Sequence, residues 1–105
     1  QLRDYEIIEF LEVRKMEVWG TNVVATIELD WDYSEETDLE DFQIFRSAEG
    51  SAVMLYKTLP RAQLNSFLFV DEDVRPGGRY VYQLMARHRG GGFSDLSKAV
   101  IVQVP

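Results

Sequence analysis

Carboxylates are concentrated in one stretch of the sequence, where seven acidic residues fall between positions 30 and 41. Such groups act as general acids, as nucleophiles of glycosidases and as calcium ligands. Asp30, Asp32, Ser34 and Glu36 occur at every second position, as do the ligands in a calcium-binding loop. However, Glu35 stands where that loop needs glycine, and Asp41 replaces its last, bidentate glutamate. A solvated acidic loop is the favoured interpretation, and calcium binding stays open as an alternative. The seven residues are Asp30, Asp32, Glu35, Glu36, Asp38, Glu40 and Asp41.

The chain has few residues that could act in nucleophilic catalysis. There is no cysteine, and the one histidine, His88, lies between Arg87 and Arg89. No serine occurs in a Gly-x-Ser-x-Gly elbow, so Ser94 and Ser97 are interpreted as turn and strand-edge residues. A glycosidase pair needs a cleft and a carboxyl of raised pKa, which an exposed acidic loop does not supply. We predict no catalytic residue, no cofactor and no metal ligand, and therefore no enzyme.

The length and net charge of the chain exclude further classes of function. The chain has 105 residues, of which 46% are hydrophobic, and this is enough for one domain with a modest core. Its net charge of −7 disfavours a phosphate backbone as partner. No apolar run approaches the roughly 20 residues of a membrane span. Nucleic-acid binding and membrane insertion are therefore not expected.

Hydrophobic residues alternate with polar ones in the manner of half-buried strands. The alternation is clearest from Val23 to Trp31, and glycine or proline stands at the breaks between such runs. We predict a seven-stranded antiparallel β-sandwich, with a bulge at Arg14-Lys15. A helix over Asp4–Val13 is the alternative for the N-terminal segment. The predicted strands are Leu11–Val18, Asn22–Trp31, Asp41–Arg46, Val53–Thr58, Phe67–Val70, Tyr80–His88 and Lys98–Val104.

Three of these segments resemble the fibronectin type III family, over Phe10 to Val104. The strand ending at Trp31 and the strand carrying Phe42 resemble the family's second and third strands. The most specific segment, Val74–Tyr80, is similar to the family's Pro-Gly turn that precedes a tyrosine. The resemblance implies an all-β, immunoglobulin-like sandwich of fibronectin type III topology. Five residues are expected to form the structural core: Trp31, Phe42, Pro76, Gly77 and Tyr80.

Two surfaces are candidates for partner contact. The resemblance places the loop of Arg87, Arg89 and Phe93 at the same end as the acidic loop, so the two loops are expected to attract each other. The same loop, which we call the tip, is also a candidate recognition site. The second surface is an outward apolar stripe of Phe45, Val81 and Met85, joined by Ile101. Scattered exposed residues are the alternative for the stripe, and sugar stacking on Trp19 is a further option.

Together these observations predict a non-catalytic spacer or interaction module of a larger, extracellular bacterial protein. Residues 1–9 are expected to be a linker or an extra N-terminal strand, and residues 10–105 the domain. The module would position neighbouring domains, for example in polysaccharide processing or surface adhesion. The alternative is a recognition module that binds a glycan or a protein through the tip. The isolated domain is expected to be a monomer, and the parent protein to be secreted or surface-exposed.

Overall fold

A computed structural model describes the backbone of residues 10–19 and 24–105, and the side chains of residues 26–105. The described chain consists of strands joined by turns, with one short 3-10 turn at Arg61–Gln63 and no α-helix. Every predicted strand has a counterpart, so the predicted all-β class is confirmed. No helix in the described part is long and apolar enough to cross a membrane. The strands are β1 (Phe10–Trp19), β2 (Val24–Asp32), β3 (Leu39–Ala48), β4 (Met54–Pro60), β5 (Leu68–Val74), β6 (Arg79–His88) and β7 (Val100–Gln103).

The strands form two antiparallel sheets that pack face to face. One sheet has the order β1-β2-β5, and the other has the order β4-β3-β6-β7. Consecutive side chains of a strand point to opposite faces, so alternate residues of β2 from Ile27, of β3 from Phe42 and of β6 from Tyr80 enter the space between the sheets. The structure therefore has the predicted sandwich with two layers around one core.

The core is built from the apolar positions of the alternating pattern. Trp31 is 4% exposed and packs edge-on against Phe42, with 5.2 Å between ring centroids, while Phe67 stacks on its face at 6.1 Å. These aromatic contacts join β2 to β3 across the two sheets. The other buried apolar residues are Ile27, Leu29, Tyr33, Leu39, Ile44, Tyr80, Tyr82, Leu84, Ala86, Val102 and Val104.

The N-terminal strand has the irregularity that its sequence predicted. The pairing of β1 with β2 shifts by one residue between Val13 and Lys15, which is a β-bulge. The part of the alternative helix that is described, Phe10–Val13, is strand. The remainder of that segment and the expected linker at residues 1–9 lie outside the described residues.

The turn before β6 is held by Tyr80. Its hydroxyl oxygen accepts a hydrogen bond from the backbone N–H of Arg75 at 2.9 Å. Gly77 has φ +80°, and a Cβ on Gly78 would lie 2.7 Å from the Tyr80 ring, so the turn requires glycine at both positions. Pro76 and Gly77 are exposed, so they reverse the chain at the surface and do not fill the core.

The last strand starts later than the sequence predicted, at Val100 instead of Lys98. Before it, two buried serines take over the hydrogen bonding along β6. The backbone and hydroxyl of Ser97 bond the carbonyl and N–H of Leu84, and Ser94 does the same for Ala86. The serine side chains thus satisfy backbone groups that a regular strand would otherwise pair.

Candidate functional site

The tip begins where β6 ends and turns on two glycines. Gly90 and Gly91 both have positive φ, and Phe93 forms an isolated bridge with Arg87. The Phe93 side chain is 47% exposed, whereas Arg89 points outward with two thirds of its side chain exposed. Together with Glu40 these residues line a shallow groove of about 310 Å³. The structure therefore brings the three predicted tip residues together at one end of the sandwich.

The two tip arginines contact the acidic loop. The Nε and Nη2 atoms of Arg87 donate to the two carboxylate oxygens of Asp41 at 3.2 and 2.6 Å. This bidentate hydrogen bond raises the pKa of Arg87. The Arg89 backbone N–H donates to the Asp38 carbonyl at 2.7 Å, and its guanidinium lies 4.0 Å from the Asp38 carboxylate. The expected attraction between the two loops is thus present as one tight pair and one loose pair.

His88 is a buried structural group beneath the tip. Its Nδ1 lies 3.0 Å from the Thr37 carbonyl, which only accepts, so Nδ1 carries the proton. The Nε2 atom then accepts from the Tyr33 hydroxyl at 2.7 Å. Both ring nitrogens are engaged in pinning the acidic loop to β6, so the histidine has no free nitrogen to serve as a base.

The carboxylates of the acidic loop are spread along it. Glu36 pairs with Arg61 at 3.0 Å, and Asp41 is 3% exposed against Arg87. Within the part of the chain that the structure describes, no three His, Cys, Asp or Glu residues lie close enough to hold a metal ion. The calcium alternative gains no support from this arrangement.

The outward apolar stripe lies on the four-stranded sheet. Phe45 follows the buried Ile44 on β3, and Val81 and Met85 alternate with buried residues of β6. Val81 pairs with Ile101 of β7, which is 56% exposed. We call Phe45, Val81, Met85 and Ile101 the outer patch. The charged residues on this side of β3 and β6 lie toward the strand ends: Arg79, Arg87, the exposed Glu40 and Asp41, which is buried against Arg87. Gln83 lies opposite Phe45, Ser47 opposite Val81 and Gln43 opposite Met85, so the apolar residues of β3 and β6 are diagonal neighbours. The outer patch is therefore apolar with uncharged polar residues between its members, on a chain of net charge −7.

A buried cluster around Asp71 was not found by sequence reasoning. Asp71 of β5 is 1% exposed, and its carboxylate accepts from Tyr82 at 2.6 Å, Tyr56 at 2.7 Å and Arg46 at 2.9 Å. Burial, followed by these hydrogen bonds, raises the pKa of Tyr56 and of Tyr82. The predicted strand Phe67–Val70 ended before Asp71, whereas β5 continues to Val74 and carries Asp71 into the interior. These partners all belong to the domain itself, so the cluster joins the two sheets.

Trp19 ends β1, but its side chain lies outside the described residues, so the structure does not bear on the sugar-stacking option.

Comparison with known proteins extends the fold assignment. No model of a protein family and no curated protein matches the sequence. Among solved structures, an Fn3-like protein from Clostridium thermocellum matches with a TM-score of 0.67 and 20% identity, over 98% of this chain and 96% of that one. The FN1–FN3 domains of chicken CNTN1 match with a TM-score of 0.69 and 17% identity, over 99% of this chain and 33% of that one.

An enzyme structure contains the same fold as a small part of its chain. A β-1,2-glucanase from Parabacteroides distasonis matches with a TM-score of 0.65 and 15% identity, over 99% of this chain and 14% of that one. The fold thus occurs both as a whole chain and as one module of larger chains. At identities this low the likeness establishes the fold alone. This chain has the fibronectin type III fold that its Pro-Gly turn and Tyr80 predicted.

Proposed function

We propose that this chain is a non-catalytic spacer and interaction module that positions neighbouring domains of a larger, extracellular bacterial protein. The observation that carries the proposal is the outer patch of Phe45, Val81, Met85 and Ile101. Contiguous apolar surface with few charges is typical of domain interfaces. A neighbouring domain packed on this patch would bury it without bringing carboxylates together.

The comparisons support a module role. In the chicken CNTN1 structure and in the glucanase, the matched part is a third or less of the whole chain. Bacterial and animal proteins are both among the similar structures, and one of the bacterial proteins is a glucanase. The bacterial parent therefore follows from the sequence resemblance and not from these likenesses, and polysaccharide processing is the activity that we propose for it.

The state of the potential catalytic groups supports a non-catalytic role. Both nitrogens of His88 and both carboxylate oxygens of Asp71 are engaged in hydrogen bonds within the domain. Asp41 is buried against Arg87. A general acid or base needs hydrogen-bond access to a substrate, which these groups lack.

Amide-shift NMR with the adjoining domain of the full-length protein tests the proposal. We expect shifts at Phe45, Val81, Met85 and Ile101, and loss of those shifts in Val81→Lys. Val70→Lys is the matched control, because Val70 is 39% exposed on the other sheet. Absence of shifts at the outer patch, or equal effects of both variants, would refute the proposal.

The tip supports a second candidate function, recognition of a glycan or a protein. The half-exposed Phe93 beside the groove of Glu40 and Arg89 offers an aromatic surface next to charged hydrogen-bonding groups. Titration with a panel of oligosaccharides would then shift amides of residues 87–93, and Phe93→Ala would abolish the shifts at unchanged Tm. Absence of amide shifts at residues 87–93 with every oligosaccharide of the panel would argue against glycan recognition.

A further inference from the structure

Three consecutive large apolar side chains are exposed at an edge of the four-stranded sheet. Val53, Met54 and Leu55 are 47%, 67% and 51% exposed, and we call them the edge run. Successive side chains of an extended chain point to opposite faces. Exposure of all three therefore means that the domain covers neither face of this segment, which is unusual unless a partner does.

The edge itself is open to pairing. β4 is the outermost strand of its sheet and pairs only with β3 among the described strands. Its outer side therefore presents backbone N–H and C=O groups that another strand can bond.

The other edges of the two sheets carry features that discourage pairing. β1 contains the bulge at Val13/Lys15, and β7 has only four residues. β5 carries the exposed acids Glu72 and Asp73 and the inward-pointing Asp71. Bulges, short strands and charges of this kind are the devices that block edge-to-edge association. β4 also has a bulge, at Tyr56, and a charged residue, Lys57, but the segment before them has no charged residue between positions 51 and 56.

Charge indicates which partner fits this edge. The chain carries a net charge of −7, so two copies repel each other over most of their surface. The segment 51–56 contains no carboxylate, and the next charged residue is Lys57. A second copy can therefore approach here without placing acid against acid, and a two-fold axis makes the apolar run its own complement.

We propose that a second copy of this chain pairs antiparallel with β4, with Met54 of the two copies opposite each other on a two-fold axis. This register sets Val53 against Leu55 and Ala52 against Tyr56. Tyr56 is the extra residue of a bulge in β4, where Ile44 pairs with Lys57 and Phe45 with Leu55, so the pairing ends there. In this register the two Lys57 residues lie at opposite ends of the paired β4 segments, so they do not face each other. The two four-stranded sheets join into one sheet of eight strands.

The inference is independent of the proposed function. Leu55 lies opposite Phe45 on β3, so the edge run adjoins the outer patch, but Met54 and Val53 are not part of that patch. A domain docked on the outer patch would leave the β4 backbone edge open. The proposed dimer differs from the monomer that the sequence analysis expected. The reason is that the exposure of three consecutive apolar residues became visible only in the tertiary structure.

Sedimentation equilibrium of the chain, from about 10 µM to about 1 mM, covers the affinities of such small interfaces. We expect a monomer–dimer equilibrium, which Met54→Lys weakens at least about tenfold because lysine on an edge opposes pairing. Val70→Lys is the matched control, since it makes the same charge change on an exposed apolar residue of β5. Unchanged Tm in both variants shows that each folds.

Crosslinking tests the register, because the chain has no cysteine of its own. Met54→Cys should form a disulfide-linked dimer under mild oxidation, since residues opposite each other in antiparallel strands have Cα atoms about 4.5–5.5 Å apart. Val70→Cys should remain monomeric. A chain that is monomeric at every concentration, or a dimer that Met54→Lys does not weaken, overturns the proposal.

Discussion

The carboxylate of Asp71 and the hydroxyl of Tyr82 lie 2.6 Å apart, and this hydrogen bond connects the two sheets through the core. Asp71 belongs to β5 of the three-stranded sheet, whereas Tyr82, Tyr56 and Arg46 belong to the four-stranded sheet. A buried carboxylate is stable only when hydrogen bonds replace its water. Here one carboxylate orders three side chains of the opposite sheet.

Replacing Asp71 by alanine is expected to lower the free energy of unfolding by about 3 kcal/mol. The change removes the acceptor of two tyrosine hydroxyls and the ion-pair partner of the largely buried Arg46 guanidinium, which keeps only the Asp73 carbonyl and the exposed Asp73 carboxylate near it. Urea denaturation measures the loss. Asp73→Ala is the control, because its side chain is 86% exposed and should change stability by less than about 0.5 kcal/mol. Equal losses in the two variants would contradict the role of the cluster.

Gly78→Ala and Tyr80→Ala should be strongly coupled. A Cβ at position 78 meets the Tyr80 ring at 2.7 Å, so we expect Gly78→Ala to destabilise by about 1–3 kcal/mol. Without the ring the added methyl finds space, and the same change should then have little effect. A double-mutant cycle by chemical denaturation gives the coupling energy. Additive losses would contradict contact with the Tyr80 ring as the reason for glycine at position 78.

Alkaline pH should unfold the domain through its buried tyrosines. Burial raises the pKa of Tyr82 above the ordinary value of 10.0, so above about pH 10 the unfolded chain loses this proton while the folded chain retains it. The unfolded state then binds fewer protons, and stability falls as pH rises. Tyr82→Phe should flatten this decline, measured by denaturation between about pH 8 and pH 12. A decline of the same steepness in the variant would exclude Tyr82 as its source.

Ser97→Ala should destabilise the domain by about 1–3 kcal/mol, because the N–H of Leu84 loses its acceptor inside the protein. Ser66→Ala is the control, since Ser66 is exposed. Hydrogen exchange locates the effect. The Leu84 amide should exchange faster in Ser97→Ala than in the control, and an unchanged rate would show that this hydroxyl does not protect β6.

The sequence alone determined the strands and the fold. Period-two alternation and the glycine and proline breaks are local properties of the sequence, so they predict strands even when the partners of each strand are unknown. The turn at Val74–Tyr80 was also predicted from the sequence, because proline and glycine in succession favour a turn and the tyrosine follows at the spacing of the family's motif. The bulge in β1 was visible as charged residues that interrupt an apolar pattern.

Only the tertiary structure decided how the charged and polar residues are used. Arg46, Tyr56, Asp71 and Tyr82 are far apart in sequence and meet because β5 and β6 belong to opposite sheets. Whether Arg87 was free or paired depended on the loop that folds beside it, and the structure pairs it with Asp41. The exposure of Val53, Met54 and Leu55 depended on which strand lies at the edge. Alternation reports which residues share a face, whereas pairing, exposure and charge neutralisation depend on contacts distant in sequence.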